Sequence, residues 1–549
     1  MMKRTLRLLA AALIGLTAMA CASMEKMQKM ADSVRITCEP AVLEIVAGEI
    51  DAEVSVTYPA GFFNPKAILE VTPVLVYNGG EAKMKPFMYQ GTKVKDNYKV
   101  VSSDGQKVVE KIHFDYVEGM ENCFLELRAA VKAGKKDIQL PSRKVADGAV
   151  ATYMLVKRDG RVALKADDYK DVVVVTKEGQ ILYQVNSSEV RGSELRSQSV
   201  KDFREALAKV NADERASVTS TEIIAYASPE GSESHNEDLS TRRSESANRV
   251  WNQVTGGTEA GDPSVKSVGE DWEGFAELVA KSNLEDKDLI LRVLSMYSDP
   301  AVRESEIRNM SQVFTALREE VLPELRRARL IANVEYQNYT AEELLKLLED
   351  NADVLDEEAL LRTATLVKEP AQKEDIYKKA VARFGSQRAQ YNLAALYLGQ
   401  NKPSKAADAL ALLTDQNDPD VLNLKGVIAL RQEELDKAEQ LFTRSGSPAA
   451  KANLGVVDIL NGNYEKAARE LADAEGCPRN TVLAYILTDQ LTKAEKAATC
   501  ESDEVKYLRA IIAARRGDAS GVSKWLAECK DAQWRERAAK DIEFAAFDL

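Results

Sequence analysis

Histidine is nearly absent from this chain: among 549 residues there are two, His113 and His235. Both read as solvated or structural groups, since neither has a partner motif beside it. Little is left for a histidine-based metal site or for a nucleophile that needs an imidazole base. Cysteine is sparse, six in all, and no two stand in C-x-x-C spacing, which removes the common zinc and dithiol signatures. Positive charge is in deficit: 74 Lys and Arg against 87 Asp and Glu give a formal charge of −13. The basic field that a polyanion requires is missing, so nucleic acid is not an expected partner. Beyond the amino terminus no apolar run is long enough to cross a bilayer. No nucleophile, base and oxyanion donors come together in one motif. The sequence thus predicts no enzyme, no cofactor and no metal.

What is present begins with an export signal. Lys3, Arg4 and Arg7 precede an apolar run over residues 8–20, too short to span a membrane as a helix. The run ends in Ala18-Met19-Ala20-Cys21, which resembles a lipobox, and the resemblance implies acylation of Cys21. Residues 1–20 then form the signal peptide and residues 21–33 a polar, lipid-anchored tether. No acidic run follows Cys21, which favours the periplasmic face of an outer membrane over surface display. Export permits disulfides, and Cys38 and Cys123 fall in one region where they are candidates to pair. Cys477, Cys500 and Cys529 lie near the carboxyl terminus, with no legible connectivity.

Residues 34–171 alternate apolar with polar over several runs (43–58, 67–77, 108–117, 123–131 and 149–156), separated by turn residues such as Asn78-Gly79-Gly80 and Asp104-Gly105. That pattern predicts an antiparallel β-sandwich of the immunoglobulin kind, acting as a spacer or docking module. From residue 340 to 549 the periodicity is helical and it repeats. Lys405-Ala406, Lys437-Ala438, Lys466-Ala467 and Lys493-Ala494 recur, each after an apolar helix and a short polar turn. Ala395, Gly426 and Gly455 stand where paired helices must approach closely. The region resembles tetratricopeptide repeats with shortened turns, which implies a solenoid whose concave face holds a protein segment.

Between these regions, residues 172–338 predict an α+β domain. Ile223-Ile224-Ala225-Tyr226 forms a short strand broken by Pro229 and Gly231, and Leu239, Ala247, Val250 and Val254 follow at helical spacing. Ala225-Tyr226-Ala227-Ser228, then Gly231, then Asn236-Glu237-Asp238-Leu239-Ser240-Thr241-Arg242-Arg243-Ser244 resembles the OmpA-like peptidoglycan-binding domain. Arg326-Arg327 resembles that family's closing strand, which begins with paired arginines. A 56-residue segment between Gly269 and Arg326 is much longer than the family's loop.

In that family an aspartate and an arginine clamp diaminopimelate. The resemblance carries the arginine onto Arg243 and an asparagine onto Asn236, but Ser228 stands at the aspartate position. A hydroxyl cannot neutralise the ligand's ammonium, a deficit of about 1–2 kcal/mol. Glu230 or Glu233 would have to supply the charge. Arg243 has a second reading, an internal ion pair to Glu230, Glu233 or Glu237, and Asn236 a second reading as a helix cap. Two functions follow. One is an outer-membrane lipoprotein that contacts peptidoglycan through its central domain and a protein partner through its repeats. The other is a scaffold of an outer-membrane, secretion or fimbrial machine that has no peptidoglycan affinity.

Overall fold

A computed structural model of the chain describes residues 25–548 apart from 134–135, 230–231, 285, 310 and 475–477. The signal peptide, Cys21, Glu230 and Cys477 lie outside the described residues. Contacts divide the chain into two compact units, residues 1–165 with 386–549, and residues 166–385. Among the described residues no helix is long and apolar enough to cross a membrane.

The first unit opens with eleven strands: β1 (Arg35–Glu39), β2 (Val42–Glu44), β3 (Glu49–Tyr58), β4 (Ile68–Tyr77), β5 (Gly80–Lys83), β6 (Phe87–Gly91), β7 (Lys99–Val101), β8 (Gln106–Asp115), β9 (Cys123–Ala133), β10 (Lys136–Gln139) and β11 (Arg143–Val150). One sheet runs β1-β3-β8; the other runs β2-β11-β9-β4-β6-β7, with β5 on β4 and β10 on β9. In β3, Ile50, Ala52, Val54, Val56 and Tyr58 are buried while Glu49, Asp51 and Glu53 face water, the period of two that a half-buried strand demands. Tyr58 of the small sheet meets Tyr89 of the large one edge-on at 6.1 Å between ring centroids.

Four sequence expectations are corrected here. The sandwich is not wholly antiparallel, because β2 pairs in parallel with β11 and β7 with β6; alternation fixes which face is buried but not the direction of an edge partner. The thiols of Cys38 and Cys123 are free and buried, since β1 carries one into the small sheet and β9 the other into the large sheet. The described part of the tether is not a loose leash. Met27 and Ala31 are buried, and Arg143 Nη1 donates to the Ala31 carbonyl at 3.2 Å. Finally, the sandwich ends at Val150 rather than at residue 171. The run over 149–156 closes in a 3-10 turn, Thr152–Leu155, and residues 156–171 belong to no helix or strand.

The same unit contains helix pairs: Gln387–Gly399 with Pro403–Ala411, Pro419–Arg431 with Leu435–Ser445, Pro448–Leu460 with Tyr464–Glu470, Arg479–Leu487 with Leu491–Ala497, and Asp503–Arg515 with Ala519–Glu528. Ser386, Asp418, Ser447 and Ser502 cap four of the leading helices with side-chain oxygens. The alanine of every Lys-Ala pair is fully buried. A Cβ on Gly426 would lie 2.5 Å from the Phe442 ring, and one on Gly455 2.6 Å from Leu471, so the small residues do mark close helix approach. Inside this array the buried Asp458 carboxylate pairs with Lys466 at 3.1 Å, and Glu470 Oε2 is buried without a donor among the described residues. Burial and the bonded Asp458 carboxyl push Glu470 up to about 7, which fits a proton shared between the two acids.

The second unit is built on β12 (Val172–Leu182), β13 (Ala216–Ala227), β14 (Ser264–Glu270) and β15 (Arg327–Gln337) in the order β12-β15-β13-β14. β15 lies antiparallel to both neighbours, and β13 pairs in parallel with β14. Helices Gln198–Asn211 and Glu233–Arg249 supply Phe203, Leu207 and Ala247 to a core shared with Ile181, Ile223 and Leu330. The segment between β14 and β15 makes five helices around its own apolar cluster, including Phe275, Ile290 and Leu317. Helices Ala341–Asp350, Glu357–Leu366 and Pro370–Phe384 also belong to this unit. The helical region that reads as one array from residue 340 is therefore divided between the two units.

Candidate functional site

Two places in the molecule bring the sequence's site residues, or residues like them, into one arrangement. The first surrounds Arg243. Ser228 follows β13, Asn236 and Arg243 lie on the helix Glu233–Arg249, and all three are buried. Arg243 is 1% exposed, and each guanidinium nitrogen donates to a main-chain carbonyl: Nε to Ser187 at 3.0 Å, Nη1 to Tyr226 at 2.9 Å and Nη2 to Gln184 at 3.1 Å. The Tyr183 ring lies 5.1 Å from its central carbon, and the Tyr183 hydroxyl donates to the Arg243 carbonyl at 2.9 Å. Burial pushes that phenol up to about 12, so it is a neutral donor throughout the physiological range. Carbonyl dipoles and a ring face together solvate a charge that water does not reach.

The fork thus ties the end of β13 to the loop after β12. Glu233 and Glu237, two of the acids the sequence offered it, stand exposed on its own helix. Asn236 sits inside that helix rather than at its cap, which is Ser232, and its amide donates to Glu270 Oε1 at 2.8 Å. Trp272 donates to the other oxygen of Glu270, also at 2.8 Å. Next to it, buried Asp271 and half-buried Arg327 form an ion pair at 2.7 Å, while Asp271 Oδ1 caps the helix Trp272–Lys281 through the Gly274 amide. The paired arginines are therefore used, at least in Arg327, to fasten the helical segment to the sheet.

His235 is exposed, with Nε2 3.3 Å from Asn186 Oδ1. His113 stands exposed on β8, 2.9 Å from Asp51, whose hydrogen bond raises its pKa. With Glu49 these two form the one cluster of potential metal ligands among the described residues, and all three side chains are exposed.

The second place escaped the sequence reading. Residues 155–165, leaving the sandwich, are gripped along the leading helices of the repeats. Asn480 accepts from the Lys157 amide at 2.8 Å and donates to the Lys157 carbonyl at 2.9 Å. Asn453 does the same for Arg161 at 2.6 and 2.9 Å, and Asn392 for Lys165 at 2.8 Å in both directions. Asn423 donates to the Arg161 carbonyl as well and accepts from Asn453.

The intervening carbonyls are held too. Arg479 donates to Leu155, Arg431 to Asp159 and the Tyr391 hydroxyl to Ala163. Alternate carbonyls from 155 to 165 all face the helices, as in a strand laid on a helical floor. A carboxamide presents a donor and an acceptor side by side, so one asparagine matches both main-chain groups of one residue. The signal was in the sequence: Asn392, Asn423, Asn453 and Asn480 occupy the same place in Tyr-Asn-Leu, Leu-Asn-Leu, Ala-Asn-Leu and Arg-Asn-Thr. Reading the repeats by their Lys-Ala pairs alone passed over it.

No family model matches the chain, and no curated protein matches it. Among solved structures it is similar to a tetratricopeptide repeat protein from Parabacteroides merdae, at 14% identity over 37% of this chain and 91% of that one, with a TM-score of 0.30. It is also similar to pilF of Pseudomonas aeruginosa, at 13% identity over 36% of this chain and 95% of that one, TM-score 0.28. A third is the Cut9-Hcn1 hetero-tetramer of the APC/C, at 12% identity over 56% and 73%, TM-score 0.32. Superpositions this loose carry no argument, and the helix pairs described above stand on their own geometry.

Proposed function

We propose that this chain is a non-enzymatic scaffold of a bacterial envelope, anchored in the outer membrane through acylated Cys21 and facing the periplasm, with its helical repeats serving a protein partner. In this reading the central domain keeps an OmpA-like architecture as a platform and does not bind the wall. The observation that supports it is the state of Arg243: the one cation that the family resemblance offers to a stem-peptide carboxylate is buried and bonded to three main-chain carbonyls. Ser228 at the family's aspartate position removes the other half of the clamp.

A sacculus pull-down tests this. The purified chain is expected to remain in the supernatant, and Arg243→Ala to lower thermal stability without changing that distribution. Co-sedimentation of the wild type with sacculi, lost in Arg243→Lys variants that still fold, would replace this reading with wall anchoring. Affinity purification of membrane-extracted chain tests the scaffold itself, which requires a stoichiometric protein partner.

A further inference from the structure

We propose that the groove lined by Asn392, Asn423, Asn453 and Asn480 is a binding site for an extended peptide, and that residues 155–165 are its resident, displaceable occupant. The ladder bonds to peptide groups and ignores most side chains: Lys157, Arg158, Asp159, Ala163 and Leu164 of the strap are exposed. Such a grip is set by main-chain spacing rather than by most side chains.

Two places add chemistry. Gly160, at φ +74°, brings its backbone so close to Val427 that a Cβ there would sit 2.3 Å from a methyl group; only glycine fits. Lys165 Nζ lies 3.2 Å from Asp418 and 2.5 Å from Asp420, over the Tyr391 ring at 5.4 Å. The ligand is therefore an extended segment of another protein with a glycine and, five residues on, a lysine or arginine.

The resident strap underfills the groove, which is why it can be displaced. A cavity of about 670 Å³ opens beside Arg161, Val162 and Ala163, against Lys451, Glu470 and Asp473. A second, of about 250 Å³, opens beside Lys157, Asp159 and Gly160. A ligand carrying larger side chains at these positions makes contacts that the strap forgoes. The strap's own advantage is its tether, which holds it near the site at high effective concentration.

The proposal names the partner chemistry of the repeats and so deepens the scaffold reading. Its test uses the full chain and a labelled synthetic peptide of residues 155–166, LVKRDGRVALKA. Wild type is expected to bind it weakly, because the strap competes. Gly160→Val combined with Lys165→Glu loosens the strap and is expected to tighten peptide binding at least tenfold. Adding Asn392→Ala and Asn453→Ala returns it to background. Should Gly160→Val prevent folding, Lys165→Glu alone, which sets a third acid against Asp418 and Asp420, carries the same comparison.

A loosened chain that melts cooperatively but takes up no peptide overturns the proposal. So does one that binds equally a peptide in which the glycine and final lysine are replaced by valine and glutamate. Failure to recover any partner from membranes would instead count against the scaffold reading and leave the peptide titration standing.

Discussion

At the scale of single residues, buried charge decides most. Arg243 is held by three carbonyls, and its removal leaves those acceptors in a dry pocket. Arg243→Ala is expected to destabilise the central domain by about 3 kcal/mol, read by urea unfolding through the fluorescence of Trp251 in the same core. Lysine is no rescue, since a point charge cannot reach three acceptors at once. Glu470 carries the opposite lesson. Its carboxyl is raised to about 7 by burial and by Asp458, so the folded chain holds a proton that the unfolded chain releases near the ordinary glutamate value. The resulting stabilisation is complete below that value and is lost as pH rises toward 7. The repeats should melt at lower temperature at pH 8 than at pH 5.5, with Lys466 and Lys451 as the opposing cations, and Glu470→Gln should flatten the dependence. Cys123, pushed up to about 12 by burial, should resist alkylation until the sandwich is unfolded.

At the scale of elements, the helix pairs depend on two glycines. Gly426→Val drives a branched side chain into the Phe442 ring and should cost about 1–3 kcal/mol, measurable as a lower urea midpoint of the helical signal. Much of this level was legible beforehand. The period of two marked β3, β4, β8 and β9, and the period of 3.6 marked the helices. The Lys-Ala pairs located each helix contact through its buried alanine. What was not legible has a physical reason in each case. The run over 149–156 has a strand's composition, but its chain leaves the sheet at Val150 and turns, and composition does not record where pairing stops. The strap has no periodicity, because its order comes from outside, from asparagines more than 220 positions away in the sequence. Ser228, Asn236 and Arg243 are each buried, which for Arg243 its position beside the apolar stripe suggested. Their partners Gln184, Ser187 and Glu270 came from loops and strand ends, where sequence carries no pairing signal.

At the scale of the whole molecule, the proposed acylation of Cys21 is open to a direct test. Cys21→Ser is expected to move the chain from the membrane fraction to the soluble periplasmic fraction. Retention in the membrane would show that some other contact carries the attachment. A formal charge of −13 gives the polypeptide itself no attraction to anionic lipid surfaces, so under this proposal the attachment rests on Cys21. The division into two units means that one unfolding midpoint will not describe the chain; two transitions, one reporting Arg243→Ala and the other Gly426→Val, are the expected outcome.

Main-chain recognition along residues 155–165 also has a consequence for how this protein tolerates change. Because amides rather than side chains are gripped, an outward position such as Leu164, 60% exposed, is free to drift over evolutionary time without loosening the hold. The same freedom makes it a natural attachment point for a spectroscopic reporter that senses whether the groove's tenant has left.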